Sequence, residues 1–204
     1  MSDTLRIAAF DIGTNKIVGA VAERTDDGHL SILAIEEEIN KNGIVNKGII
    51  INVGEVVFNI TSIIRKLQNI ANTKIHNIYV SISNEKGYNT DEWEKLVLEL
   101  ASRGVKSHIL DRMDCMADSL MSAAEKEIGC LLIDSGASCT SFILRTNNEP
   151  DIRGIVQLGG NNITKDLTYL ELKYDNAEKL KTKLGSAKPD KLVRPYARNK
   201  KKKK

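Results

Sequence analysis

Ile7-Ala8-Ala9-Phe10-Asp11-Ile12-Gly13-Thr14-Asn15-Lys16-Ile17 is the stretch on which the reading of this chain turns. Apolar residues suited to a strand run into Asp11. A glycine-centred turn of small polar residues follows, and a second apolar run opens at Ile17. A carboxylate at such a strand end, buried on one side and open on the other, suits a hydrated magnesium ion, which takes one or two carboxylates together with phosphate oxygens. Gly13 lets the backbone come close to a phosphate, and Thr14, Asn15 and Lys16 add hydroxyl, amide and ammonium donors. The same residues also describe a tight hairpin with an aspartate in its turn. The decision therefore rests on whether the chain supplies a second half to the site.

A matching half exists. Cys130-Leu131-Leu132-Ile133-Asp134 is again an apolar strand that ends in aspartate, followed by Ser135-Gly136-Ala137-Ser138-Cys139-Thr140 and a strand over Ser141–Arg145. If the two hairpins face each other, their turns close on a polyphosphate from both sides. Backbone N–H groups and the hydroxyls of Thr14, Ser138 and Thr140 hold oxygens, while Asp11 and Asp134 hold magnesium through water. Phosphoryl transfer to water needs mainly positioning and charge neutralisation, so the aspartates balance charge rather than attack. Two ordinary hairpins remain the plain alternative.

Working outward, Arg6–Ile12, Ile17–Glu23 and Leu30–Glu38 read as an antiparallel meander, with Asp27-Gly28 a hairpin signal. Gly43 and Gly48 have the spacing of a P-loop, but Ile49 stands where the phosphate-reaching lysine belongs, which excludes that motif. Asn52 caps a helix with Glu55 reaching back, and Val56, Ile60, Ile63, Ile64, Leu67 and Ala71 form its apolar face. Ile78–Ser83 is a strand. Asn84–Asn89 is a polar break, and Thr90 caps a helix carrying Trp93, Leu96, Val97 and Leu100 that ends at Gly104. Val105–Leu110 is a strand, and Met113, Met116, Ala117, Leu120, Met121 and Ala124 mark one further helix, its methionines read as core. Asn147-Asn148 turns the chain into Ile152–Leu158. A helix spans about Asn161 to Leu172, and Asp175 caps another over Asn176–Leu184, closed by Gly185. From about residue 188 the chain is polar and reads as a disordered basic tail.

Composition adds bounds. The 204 residues suit one domain or two small subdomains, with a net charge of +3. Lys200 to Lys204 are all lysine, and without them 25 basic residues stand against 27 acidic, so the body is slightly acidic. The run reads as a solvated tail or as a weak contact with an anionic membrane, and nucleic acid is not the expected partner. Cys115, Cys130 and Cys139 have no metal spacing and read as reduced thiols. No apolar stretch reaches the roughly 18 residues that span a bilayer, and Met1-Ser2-Asp3-Thr4 does not open a signal peptide. The expected location is cytoplasmic. His29, His76 and His108 are scattered and suggest no ligand set.

The paired turns on meander-plus-helix units resemble the ATPase fold of actin and the sugar kinases. Phe10 to Ile17 resembles the first phosphate loop of the FtsA family of bacterial cell-division proteins. Lys47-Gly48-Ile49-Ile50-Ile51-Asn52, Glu125 to Asp134, Leu158 to Asp166, and Ala177 to Lys181 through Gly185-Ser186-Ala187 continue the likeness over most of residues 5–187. The resemblance implies an α/β fold of the actin-like, ribonuclease-H-like kind, a mixed sheet with flanking helices and an incomplete second half. Residues 1–128 form its first subdomain and 129–187 part of its second. It implies ATP and magnesium held by Asp11, Gly13, Thr14, Asn15, Lys16, Asp134, Gly136, Ser138, Thr140, Gly159 and Gly160. It also implies an FtsZ-like ring protein and other division proteins as partners, self-association, and a peripheral place at the inner face of the membrane.

Departures from the family pattern accompany the likeness. About six polar residues follow Ser83 where the family inserts a small subdomain, and the family's further subdomain, adenosine loop and membrane helix have no counterpart after Ser186. Ala137 and Ser138 replace glycines in the second phosphate loop. The family's water-positioning glutamate has only Asp111 as a counterpart by position, so no catalytic residue is assigned. These departures leave at most a weak ATPase, and the alternative is a non-catalytic scaffold that keeps the fold.

Overall fold

The computed structural model describes residues 5–25, 27–41, 43–82, 91–146 and 149–186. The Asn84–Asn89 break, the Thr90 cap, the Asn147-Asn148 turn and the lysine tail lie outside the described residues. Two compact units partition the chain, Met1–Asn161 and Asn162–Lys204.

The first unit opens with the expected meander, β1 (Arg6–Ile12), β2 (Lys16–Arg24) and β3 (Leu30–Ile39), paired antiparallel. The stretch with P-loop spacing is a small hairpin, β4 (Val45–Asn46) with β5 (Ile49–Ile50), turned at Lys47 and Gly48, whose positive φ angles of 52° and 76° suit a tight turn. Helix α1 (Val53–Ala71) starts at Asn52, whose side chain accepts from the Glu55 amide at 3.1 Å. Strand β6 (Asn77–Ile82), helix α2 (Asp91–Ser102) and strand β7 (Lys106–Asp111) follow. β6 lies parallel to β1, and β7 parallel to β6, giving the sheet order β3-β2-β1-β6-β7. Alternation decides which face is covered: Ala8, Phe10 and Ile12 of β1 are buried with Ile60, Ile63 and Leu67 of α1 and with Leu96 and Leu100 of α2. Each such fully buried aliphatic side chain contributes about 1.5–3 kcal/mol.

The expected single helix after β7 is two, α3 (Arg112–Leu120) and α4 (Ala123–Ile128). The reason is Ser122. It accepts from the Glu125 amide while the Glu125 carboxylate accepts from the Ser122 amide at 2.8 Å, a capping box that starts a new helix where the apolar period continues. Met113, Ala117 and Met121 are buried as read, but Leu120 is exposed. β8 (Cys130–Ser135), β9 (Thr140–Thr146) and β10 (Glu149–Val156) then make a second, antiparallel sheet in the order β10-β9-β8. Helix α5 (Gly160–Thr168) follows, and α6 (Tyr174–Leu184) ends the described chain. Asp175 does not cap α6; the helix begins at Tyr174, two residues before the expected Asn176, after Lys173 and with no side-chain cap. Within the second unit Thr164 is buried, hydrogen-bonded to Glu178 and accepting from Lys181 at 2.8 Å.

One surface pair gives a pH prediction. Glu38 on β3 accepts from Ser62 at 2.8 Å and pairs with Lys66 at 2.9 Å, both on α1. Lys66 first, and Ser62 after it, hold the Glu38 carboxyl below its usual 4.5. A depressed carboxyl adds stability above its unfolded value and loses it as the pH falls through the lower folded value. The Glu38→Gln variant should therefore lose stability less steeply than the parent as pH falls below about 4.5, measured by urea unfolding at stepped pH. Equal slopes would show that the pair contributes nothing.

Candidate functional site

The site lies at the carboxyl ends of three parallel strands, where open α/β sheets place their ligands. The register sets Asp11 of β1 opposite Ser81 of β6, and Ile82 of β6 opposite Asp111 of β7. Asp11 is on the sheet face away from the α1 core, beside Ser81, whose hydroxyl donates to Asp11 Oδ1 at 2.7 Å. The turn after β1 is closed by the Gly13 amide donating to the Lys16 carbonyl at 3.0 Å. The turn after β8 is closed in the same way, Gly136 amide to Cys139 carbonyl at 2.9 Å. Both turns face one cavity of about 690 Å³, whose wall includes Asp11, Thr14, Lys16, Asp134, Gly136 and Ser138. The amides of Thr14, Asn15, Ala137 and Ser138 make no backbone–backbone hydrogen bond among the described residues.

Of the expected site residues, Asp11, Gly13, Thr14, Asn15, Lys16, Asp134, Gly136 and Ser138 come together on this cavity. The Lys16 ammonium turns aside to Glu37 at 2.6 Å. Thr140, Gly159 and Gly160 stand behind the second turn. Thr140 donates to the Leu158 carbonyl at 2.8 Å, and the amides of Gly160 and Asn161 donate to the carbonyls of Gly136 and Ala137 at 3.0 and 2.7 Å. Thr14 and Ser138 share a hydroxyl hydrogen bond of 2.6 Å across the two turns, and Ser138 also accepts from the Lys47 amide at 3.1 Å. Asn40 braces the first turn from the far end of β3, donating to the carbonyls of Gly13 and Thr14 at 2.8 and 3.2 Å.

Arg112 is the residue that motif reading missed. It is the first residue of α3, and its Nη2 donates to Asp11 Oδ1 at 2.6 Å and to the Ile12 carbonyl at 3.0 Å. Its Nη1 stands 3.8 Å from Asp134 Oδ2. The signal available in the sequence was a lone arginine directly after a strand-ending aspartate. Asp111 itself caps α3, its carboxylate accepting from the Asp114 amide at 3.0 Å, so it is held by the helix start rather than free to position water. Magnesium fits this arrangement poorly. Asp11 Oδ1 already accepts from Arg112 and Ser81, and the Arg112 guanidinium reaches toward both Asp11 and Asp134. The three cysteines are free thiols. Cys115, on the cavity wall, has its thiol pushed up by burial and by the neighbouring Asp111, Asp114 and Asp118, which makes it a poor nucleophile.

No protein-family model matches the chain. Its curated relatives are cell-division proteins named FtsA. That of Porphyromonas gingivalis is 37% identical over 67 residues, 33% of this chain and 14% of the relative. That of Borreliella burgdorferi is 23% identical over 262 positions, which cover 90% of this chain and 63% of the relative. Among solved structures, the ethanolamine utilization protein EutJ from Carboxydothermus hydrogenoformans superposes with a TM-score of 0.71 at 16% identity, covering 87% of this chain and 61% of that one. MreB5 of Spiroplasma citri bound to ADP superposes with a TM-score of 0.65 at 14% identity, over 94% of this chain and 64% of that one. The chain is FtsA-like and has the actin-like ATPase fold. It spans less than two thirds of the length of the FtsA proteins it matches. The Borreliella FtsA alignment runs over more positions than this chain has residues, 262 against 204, so that FtsA carries segments with no counterpart here. No helix among the described residues is long and apolar enough to cross a membrane.

Proposed function

We propose that the cavity between the Asp11 and Asp134 turns takes the phosphates of a nucleotide such as ATP, in an FtsA-like protein that serves cell division. The observation that carries this reading is the identical closure of two turns about 120 residues apart, each a glycine amide bonded to a carbonyl three residues on, facing one cavity. Turn amides make such a concavity an anion receptor. The FtsA relatives support a role in cell division; the partner in this reading is an FtsZ-like ring protein, and the basic run Lys200 to Lys204 supplies a peripheral membrane contact. That contact would contribute roughly 1 kcal/mol per lysine at an anionic surface. The turns recognise the phosphates, and Ala137 and Ser138 stand in the second turn where glycine would allow a closer approach, so binding is weak and shared by ATP and inorganic tripolyphosphate.

Calorimetric titration of the full chain tests this. ATP and tripolyphosphate should bind with similar affinity, and Gly13→Ala, whose new Cβ would stand 2.9 Å from the Lys16 carbonyl oxygen, should weaken both by at least about tenfold. No heat at millimolar ATP would overturn the reading. It would leave the second one, a non-catalytic scaffold, which the direct Thr14–Ser138 hydroxyl bond favours because it joins the turns without a ligand.

A further inference from the structure

We propose that Arg112 is a built-in cation that stands in for a divalent metal on the Asp11–Asp134 pair, so that phosphates enter this cleft without magnesium. The proposal rests on the reading of the cleft as a phosphate site. Its starting point is the position of the guanidinium, 2.6 Å from one carboxylate and 3.8 Å from the other, between the two residues that a metal would bridge.

Three features make this a fixed arrangement. Arg112 begins α3, so its backbone is held by the helix and by the Asp111 cap. Its side chain is only 17% exposed, and a third anchor, the Ile12 carbonyl, sets the plane of the fork. Asp11 Oδ1 already accepts from both Arg112 and Ser81, which leaves that oxygen little capacity for a metal held at about 2.1 Å with near-octahedral demands. Admitting magnesium between the two carboxylates would require expelling this largely buried guanidinium.

The same geometry leaves part of the fork for an anion. Nη2 is occupied by Asp11 and Ile12, but Nη1 lies beyond hydrogen-bond distance from Asp134. Nη1 is the donor left for a phosphate oxygen, on a side chain that lines the cavity on which both turns open. The cost is charge. One guanidinium against two carboxylates leaves a residual negative charge, which a divalent ion would have cancelled, so anion affinity without metal stays modest. Arg112 therefore determines what the cleft accepts: anions free of metal rather than a magnesium complex.

The experiment compares the full wild-type chain with Arg112→Gln. Tripolyphosphate and ATP are titrated calorimetrically in excess EDTA and in millimolar magnesium, and Mn²⁺ alone is titrated by electron paramagnetic resonance. Wild type should bind the anions within about twofold of the same affinity in both buffers, and should not immobilise Mn²⁺ at millimolar levels. Arg112→Gln, which frees both carboxylates, should lose at least about tenfold of its anion affinity in EDTA, recover it in magnesium, and bind Mn²⁺. A tenfold or greater loss of wild-type affinity on adding EDTA overturns the proposal, as does Mn²⁺ binding by wild type that Asp11→Asn abolishes. Both of those readouts use wild type, so a misfolded Arg112→Gln does not rescue the idea. If no anion binds in either buffer, the phosphate reading of the cleft falls, and the Mn²⁺ titration alone decides whether Arg112 holds the place of the metal.

Discussion

Replacing Arg145 by alanine is expected to lower the unfolding free energy by about 2–4 kcal/mol. Arg145 is the penultimate residue of β9, its side chain 8% exposed, and it ties two carboxylates of α3 at once, Asp114 and Asp118, each at 2.7 Å. Breaking a wholly buried pair by removing one partner costs about 3–5 kcal/mol, because the remaining charge is left uncompensated. Here Asp118 is 66% exposed and keeps Lys126 at 3.3 Å, while Asp114 keeps Arg153 at 3.1 Å, so part of the loss is recovered by water and by these cations. The long aliphatic stem is lost as well, since the buried arginine fills space as well as bearing charge. Arg145→Met, which restores the volume without the charge, should recover about half of the loss, because a hydrophobic substitute of similar size often replaces a buried ion pair well. Equilibrium urea unfolding of the three chains at neutral pH is the measurement. A loss under about 1 kcal/mol for the alanine variant would show that the network is a surface ornament of the kind that contributes little. The consequence for the site is direct: Arg145 holds α3 against the second sheet, and α3 carries Arg112.

The second large effect is expected at Gly159. An added Cβ there would stand 2.6 Å from the Gly136 carbonyl oxygen and 2.7 Å from the carbonyl carbon and oxygen of Ala137. All three are backbone atoms of the second turn, so no side-chain rotation relieves the clash. The strand exit and the turn must separate, which weakens the bonds from the Gly160 and Asn161 amides to those same two carbonyls. Overpacking of this kind costs about 1–3 kcal/mol. More telling is the effect on the cleft, because moving the Gly136–Cys139 turn by even a fraction of an ångström displaces Ser138 and the turn amides. Gly159→Ala should weaken tripolyphosphate at least about tenfold while the chain stays folded. Calorimetry paired with thermal unfolding checks both halves. Unchanged affinity with unchanged stability would mean that the backbone gives way elsewhere.

Much of the architecture was legible in the residues. The meander, α1 and the strand after it follow from local alternation and turn chemistry: Asp27-Gly28 forces a hairpin, and Asn52 with Glu55 starts a helix wherever they sit. The division of α3 from α4 was legible in principle, since Ser122 and Glu125 form a capping box, but the uninterrupted apolar period of Met113, Ala117 and Met121 hid it. Helix starts that depend on no side-chain cap, such as α6 after Lys173, left no signal to read. The site was half legible. Its turns were visible because a strand, an aspartate and a glycine are neighbours along the chain. Asn40, Ser81 and Arg112 were not, because each reaches the site from a separate element.

The sequence by itself determined that two strand–aspartate–glycine turns exist and that each can present free amides, because turn geometry depends on a handful of consecutive residues. Only the tertiary structure decided what lies between the aspartates. Parallel pairing of β1, β6 and β7 aligns their carboxyl ends, and that alignment delivers the first residue of α3 to Asp11, a hundred positions away in the chain. A guanidinium chooses its partners by distance and desolvation rather than by order along the chain. The charge that governs this cleft therefore became visible only once the strands were side by side.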